Sequence, residues 1–272
     1  MDRDTLSAVT GSRPQADEPR FAFGKNWRRF LGLVDEERIS HAAEALREKL
    51  RTPSLEGKRF LDAGCGSGLM SLAARRLGAS VLSFDYDADS VACARELKQR
   101  YFPSDDQWSI ERGSVLDEAY VSSIGLFDVV YSWGVLHHTG AMWRAIDLIQ
   151  SPVSPGGLLF IAIYNRQPYL SAYWSRVKKL YNRRRWSRVL LVPLHLGLPV
   201  MSWTSRKISG RRTERGMSLW RDYIDWLGGY PFETATPEQI LQFFRRRGWE
   251  PTAMKTCGGR LGCNEFVFRK PL

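Results

Sequence analysis

The chain has 272 residues, 43% of them apolar, and carries 40 basic and 29 acidic side chains for a net charge of +11. That length and apolar content can bury one sizeable α/β core plus an appendage. Four scattered cysteines exclude a disulfide framework; Cys257 and Cys263 flank the last turn but lack neighbouring His or Cys to complete a zinc site, so no metal is expected.

Residues 1–19 are polar and contain proline, and read as disordered. Residues 20–54 read as an N-terminal helical segment that opens on an aromatic and basic run, Phe21 to Phe30. A short apolar strand, Arg59-Phe60-Leu61, then ends in Asp62. Glycines at 64, 66 and 68 follow, with Cys65 between the first two, and a helix is predicted over Leu69 to Leu77. Glycines there permit a sharp turn and a close approach to a ligand, while the helix start offers free N–H groups. A dinucleotide site favours the spacing G-x-G-x-x-G. Here the spacing is D-x-G-x-G-x-G, and an acid inside the loop repels pyrophosphate and suits an amine-bearing ligand.

This stretch resembles motif I of the class I S-adenosylmethionine-dependent methyltransferases, and the following elements agree with that resemblance. A second strand over Ala79 to Phe84 ends in Asp85-Tyr86-Asp87. An acid at that place, roughly 20 residues on, accepts hydrogen bonds from ribose hydroxyls, and Asp85 is the residue assigned to it. Asp87 or Asp89 is expected to cap a helix starting near Ser90. Trp108 to Arg112 is a third strand, leading into Gly113 to Asp117. The resemblance implies that this loop lies on the adenine, with Ser114 and Val115 as contacts. Phe127 to Trp133 reads as a buried fourth strand, and Gly156 to Tyr164 as a fifth, entered by a Pro-Gly-Gly turn.

Strands alternating with helices imply a Rossmann-like, doubly wound, mostly parallel α/β sheet. Thr236-Pro237-Glu238-Gln239 has the pattern of an N-cap, a first-turn proline and a capping-box glutamine, with the helix stopped by Gly248. Thr252 to Cys257 and Cys263 to Phe268 read as a closing hairpin, which makes seven strands with an antiparallel last one, as the resemblance implies. The organisation is thus a cofactor-binding core over 55–165, a basic lid over 166–231, and a closing helix and hairpin over 232–272.

Ligands in such sheets bind at the C-terminal strand ends. Asp62, Asp85, Ser114, Trp133 and Tyr164 all fall there. S-adenosyl-L-methionine is the implied cofactor, with Asp62, Gly64, Cys65, Gly66, Gly68, Asp85, Tyr86, Ser114, Val115, Ser132 and Trp133 as its implied contacts. After the fourth strand, Leu136-His137-His138 is similar to the ubiquinone-biosynthesis type of O-methyltransferase, where a histidine lies near the reacting centre. Removing a hydroxyl proton suits imidazole, whose ordinary pKa is about 6.5. His138 is the candidate general base and His137 the second candidate; both also read as turn or packing residues. Tyr164 could line the acceptor pocket or simply end its strand. The family often folds its pre-core segment over the cofactor, which makes Trp27 and Lys25 candidates; a helix packed on the sheet edge is the other reading.

The charge is unevenly placed. Residues 165–216 hold 13 Lys/Arg and one acid, Glu214, whereas the rest of the chain holds 27 basic and 28 acidic residues. Within this lid, Val189 to Trp203 is an almost uncharged run of 15 residues, broken by Pro193, Gly197 and Pro199. It is short of the ~20 residues that span a bilayer. Three readings stay open: an ordinary packed lid, an anionic membrane interface, or a nucleic-acid surface, the last disfavoured by the apolar centre. The aromatic segment 222–232 is expected to be ordered, as a pocket wall. The acceptor is expected to be a small or lipid-like molecule methylated on oxygen. N-methylation of RNA or protein is the alternative, weakened because Ser132-Trp133-Gly134-Val135 replaces an Asn/Asp-Pro-Pro-Tyr motif. A non-catalytic membrane-associated binder of the cofactor is the third class. Reduced cysteines and no visible signal peptide lead to the expectation of a cytoplasmic protein, membrane-associated if the lid binds lipid. The oligomeric state is not legible.

Overall fold

A computed structural model describes Gly24, Trp27, residues 31–184, 186–196 and 219–272; for 219–222 and Asp225 it describes the backbone alone. The segment 1–19, Lys25 and the second half of the apolar run at 189–203 lie outside the described residues. The first helix, α1 (Glu36–Leu50), starts where the Asp35 carboxylate accepts the Arg38 N–H, and it buries Ile39, Ala42, Ala43, Leu46 and Leu50 at helical spacing. The core then alternates β1 (Arg59–Ala63), α2 (Leu69–Arg76), β2 (Ser80–Asp85), α3 (Ala88–Tyr101), β3 (Trp108–Arg112), α4 (Glu118–Ser123), β4 (Phe127–Trp133), α5 (Met142–Leu148) and β5 (Val153–Tyr164). Among the described residues α6 (Pro168–Arg183), α7 (Ser187–Leu194) and α8 (Leu219–Gly228) follow. The chain closes with α9 (Pro237–Arg245), β6 (Glu250–Lys255) and β7 (Cys263–Arg269).

The seven strands form one sheet in the order β3-β2-β1-β4-β5-β7-β6. All described pairings from β3 to β5 are parallel, and β7 runs antiparallel between β5 and β6. The order reverses at β1, where the chain next returns on the other side as β4, so β1 and its neighbours frame the crevice in which such sheets bind ligands. Side chains alternate between the two faces. Phe60, Val129, Tyr131 and Phe160 pack toward α1 and α2, with the rings of Tyr131 and Phe160 stacked at 4.7 Å. Leu61, Val130, Leu159 and Ile161 pack toward α5 and α9, where Phe244 stacks on Phe268 at 4.0 Å. Sheet faces covered on both sides explain why these strands read as continuous apolar runs.

Two expectations need correction. The Pro155-Gly156-Gly157 stretch is not a turn before β5 but an irregularity inside it. Val153 already pairs with Phe127, the register shifts, and pairing resumes at Leu158 with Val129. A Cβ on Gly157 would stand 3.0 Å from the Asp128 carbonyl, so glycine lets the strand keep its neighbour through the shift. The helix expected near Ser90 starts at Ala88, because Asp87 caps it by accepting the Asp89 N–H. The capping box of α9 is present as predicted: Thr236 Oγ1 accepts the Gln239 N–H and Gln239 Oε1 accepts the Thr236 N–H.

Candidate active site

The loop after β1 is fastened to the end of β2. The N–H groups of Gly64 and Cys65 both donate to the Phe84 carbonyl, and the Gly66 N–H donates to Asp85 Oδ2 at 3.0 Å. Gly64 has φ +81°, and a Cβ there would meet Val135 at 2.3 Å, so a side chain would push away the loop that carries the histidines. Gly66 has φ +55°, and its absent Cβ leaves room for the Trp27 indole at 3.0 Å. Trp27 thus lies over the glycine loop, and the Gly24 N–H donates to Asp87 Oδ2 beside it. Trp27 is at the site; Lys25 is outside the described residues.

Asp62 is buried at the end of β1 with a single described side-chain partner, the Ser71 hydroxyl. A relay stands behind it. The Trp108 indole donates to Ser83 Oγ, Ser83 donates to Ser71 Oγ, and Ser71 donates to Asp62 Oδ2, so every buried hydroxyl gives and receives one bond. Burial lifts the Asp62 carboxyl to about 7; the Ser71 bond acts against this, and the charge of Asp85 adds to it. Asp85 is lifted to about 6, again by burial, against the N–H groups of Asp87 and Gly66 that its oxygens accept. Two buried carboxyls with raised pKa values form a site that a cationic ligand would ionise. The ammonium and ribose of S-adenosylmethionine match that pair, one carboxylate for charge and one for hydroxyls.

The other expected contacts are placed as follows. Cys65 is buried, and burial pushes its thiol well above the usual range, so it is a packing residue of the loop rather than a nucleophile. Tyr86 is exposed next to the Arg112 guanidinium. The Ser114 hydroxyl accepts the Leu116 N–H, and Val115 is buried beneath that turn. Ser132 is buried with its hydroxyl donating to the Ala63 carbonyl, which ties β4 to β1. The Trp133 indole N–H donates to Glu265 Oε1, which Lys49 also meets at 3.1 Å.

The two histidines lie on a single turn, Leu136–His138. His137 is fully buried, its ring 4.0 Å from that of Tyr164, and its carbonyl accepts the Glu233 N–H. His138 is half-buried, and its Nδ1 lies 2.6 Å from the Pro231 carbonyl. A carbonyl only accepts, so Nδ1 carries a hydrogen and donates it to Pro231. The Glu233 carboxylate receives the Met142 N–H on both oxygens, holding the start of α5. Burial raises the Glu233 pKa, and the backbone N–H groups of Met142 and Gly140 oppose this. Tyr164 is the hub of an aromatic wall, with ring centroids 5.5 Å from His138, 5.4 Å from Trp226 and 5.0 Å from Phe232.

Pro231, Glu233, Ser71, Ser83, Trp108 and Glu265 were not among the sequence candidates. The first two belong to the 222–232 stretch or directly follow it, and its aromatic density is the signal that found the wall. The serines carry no signal in isolation, because a serine in a strand or helix has no pattern of its own.

The chain belongs to the methyltransferase-domain family, a family of class I S-adenosylmethionine-dependent methyltransferases, whose model matches residues 35–250. Among its relatives, the ubiquinone biosynthesis O-methyltransferase of Brucella melitensis biotype 2 is 34% identical over 119 residues, which are 44% of this chain and 45% of that protein. The enzyme of the same name from Chelativorans sp. is 32% identical over 125 residues, 46% and 47% of the two chains. The chain thus spans less than half the length of these curated relatives. In fold it resembles magnesium protoporphyrin IX methyltransferase from Synechocystis PCC 6803 with bound SAH (TM-score 0.52, 15% identity, 98% of this chain and 93% of that one). It also resembles an N-methyltransferase from Bradyrhizobium japonicum (TM-score 0.51, 15% identity, 92% and 100%).

Proposed function

We propose that the protein transfers a methyl group from S-adenosylmethionine to a hydroxyl of a small or lipid-like acceptor, with His138 as the general base. The observation that carries this reading is the hydrogen bond from His138 Nδ1 to the Pro231 carbonyl, which holds the imidazole in one orientation beside an aromatic wall. S-adenosylmethionine supplies a methyl on a sulfonium, open to in-line displacement. Asp62 and Asp85 hold its charged tail and its ribose, and the glycine loop lets the backbone come close. Trp27 covers that loop, which excludes water and raises the strength of every polar contact beneath it. Tyr164, Trp226 and Phe232 give the acceptor an apolar, ring-shaped surface. His138 removes the acceptor proton as the oxygen attacks. Aromatic rings beside a base favour a phenolic acceptor, and two of the relatives are named ubiquinone biosynthesis O-methyltransferases.

The test is release of S-adenosylhomocysteine with a metabolite extract, followed by mass spectrometry of the methylated product. His138→Ala is expected to lower turnover about a hundredfold or more while cofactor affinity stays within about twofold. Undiminished turnover in that variant removes the base assignment; no release with any extract removes the enzyme.

A further inference from the structure

The face of α7 that points away from the protein has the chemistry of a membrane-facing surface. At 100° per residue, Ser187, Leu191 and His195 form its buried side. The opposite arc, about 160° wide, carries Trp186, Val189, Leu190, Pro193, Leu194 and Leu196 in or beside the helix. All six are exposed, Val189 at 75% and Leu194 at 72% of their full surface, and none is charged. An exposed arc without one polar side chain inverts the usual pattern of a surface helix. The neighbouring α6 adds an outer face of Tyr169, Tyr173, Arg176, Leu180 and Arg183. The two helices pack together, because the Tyr173 hydroxyl on the outer face of α6 meets His195 Nε2 on the inner side of α7 at 2.6 Å.

We propose that this α6–α7 face docks on a bilayer containing anionic phospholipid, with α7 lying in the interface. The helix has eight residues, about 12 Å, far less than the ~30 Å of a hydrocarbon core, so it lies flat rather than crossing. Among the described residues no helix is long and apolar enough to cross a membrane. The apolar arc enters the acyl boundary, and the arginines beside it meet headgroup phosphates, each contributing on the order of one further attractive contact. Charge decides between occupants. Residues 166–196 contain no acid and carry the exposed Arg176, Arg183 and Arg188, so a second copy of the face would bring like charge against like. A nucleic acid would leave the uncharged arc with nothing to bury it. An anionic bilayer satisfies both the charge and the apolar arc.

The docked helix stands close to the pocket. Leu191 packs in one cluster with Tyr223, Leu227 and Phe232, and Phe232 touches Tyr164. A lipid-like acceptor drawn from the bilayer would thus meet the aromatic wall within one layer of side chains. This step deepens the lipid-acceptor reading above; flotation requires no turnover, so failure of docking and failure of methyl transfer are told apart.

The experiment is flotation of the full chain with vesicles of phosphatidylcholine alone or with phosphatidylglycerol added. The protein is expected to float at least tenfold more with the anionic vesicles, and less as salt rises. Leu190→Glu with Leu194→Glu is expected to abolish flotation while leaving S-adenosylmethionine affinity unchanged, which shows that the variant is folded. Arg176→Glu with Arg183→Glu, a second variant clear of the apolar arc, is expected to lose the preference for anionic lipid. Wild-type protein that stays in the aqueous fraction with both vesicles overturns the proposal. So does flotation equal in the wild type and the Leu variant. An apolar arc that instead holds a dimer, seen as a monomer only in the Leu variant, or a salt-sensitive RNA complex formed without flotation, overturns it as well.

Discussion

In the proposed reading cofactor binding turns on Asp62 and Asp85, and their protonation would set its pH dependence. With raised values of about 7 and about 6 in the folded chain, both carboxyls hold protons that the unfolded chain, near 3.8, would already have released. Between about pH 4 and pH 7 the folded state therefore binds more protons than the unfolded one, and these two groups make stability fall as pH rises through that window. A cationic ligand reverses the preference by favouring the ionised forms. Affinity for S-adenosylmethionine is then expected to rise with pH, with the dissociation constant at pH 5.5 about tenfold or more above that at pH 8. Calorimetry in buffers of different ionisation enthalpy should show proton release near pH 6.5; proton uptake there, or a flat affinity profile, contradicts the assignment. The relay adds a second handle. Ser71→Ala removes the hydroxyl donor to Asp62 and leaves the Ser71 backbone donor, so the carboxyl should titrate higher still and the pH profile of binding should move upward.

Elements far apart in the chain assemble around the histidine turn. His138 takes its tautomer from Pro231, 93 positions away, and Glu233 holds α5 behind it, while the Ala235 N–H donates to the Tyr164 carbonyl at the end of β5. The stretch leaving α8 is therefore a clamp on the histidine turn. Glu233→Gln keeps the shape but weakens the acceptance of the Met142 N–H. It is expected to lower turnover at saturating substrate more than it changes cofactor affinity; equal losses in both contradict the clamp. Much of this architecture was legible. Strands β1 and β4 are largely apolar runs buried in the middle of the sheet, and α9 announces itself through Thr236, Pro237 and Gln239. The Thr236→Ala variant should cost about 1 kcal/mol in denaturant unfolding, the ordinary worth of such a cap. The rest was hidden for physical reasons. Pro155-Gly156-Gly157 looks like a turn because its residues favour one, yet pairing with β4 holds them in the strand. The apolar run at 189–203 gave no helix boundary, since α7 begins at Ser187, ahead of Arg188, and its burial pattern is fixed by Tyr223 and Tyr173 from other elements.

At the scale of the whole molecule, a class I sheet supplies the crevice and everything particular to this chain is laid over its C-terminal edge. The glycine loop and the two acids come from β1 and β2, the histidine turn follows β4, and the aromatic wall joins the end of β5 to the lid helices. In the sequence the basic excess falls in residues 165–216, and the described helix α7 within them carries an exposed apolar face. Binding of the cofactor by the paired carboxyls is the claim under all of this. It is tested most directly by titration calorimetry of S-adenosylmethionine into the wild-type chain and into the Asp62→Ala and Asp85→Ala double variant. Lost charge-assisted hydrogen bonds are worth about 1.5–3 kcal/mol each, so the account predicts binding in the wild type and a loss of about a hundredfold or more in the variant. No heat of binding in the wild type, or equal affinity in the two proteins, would contradict it.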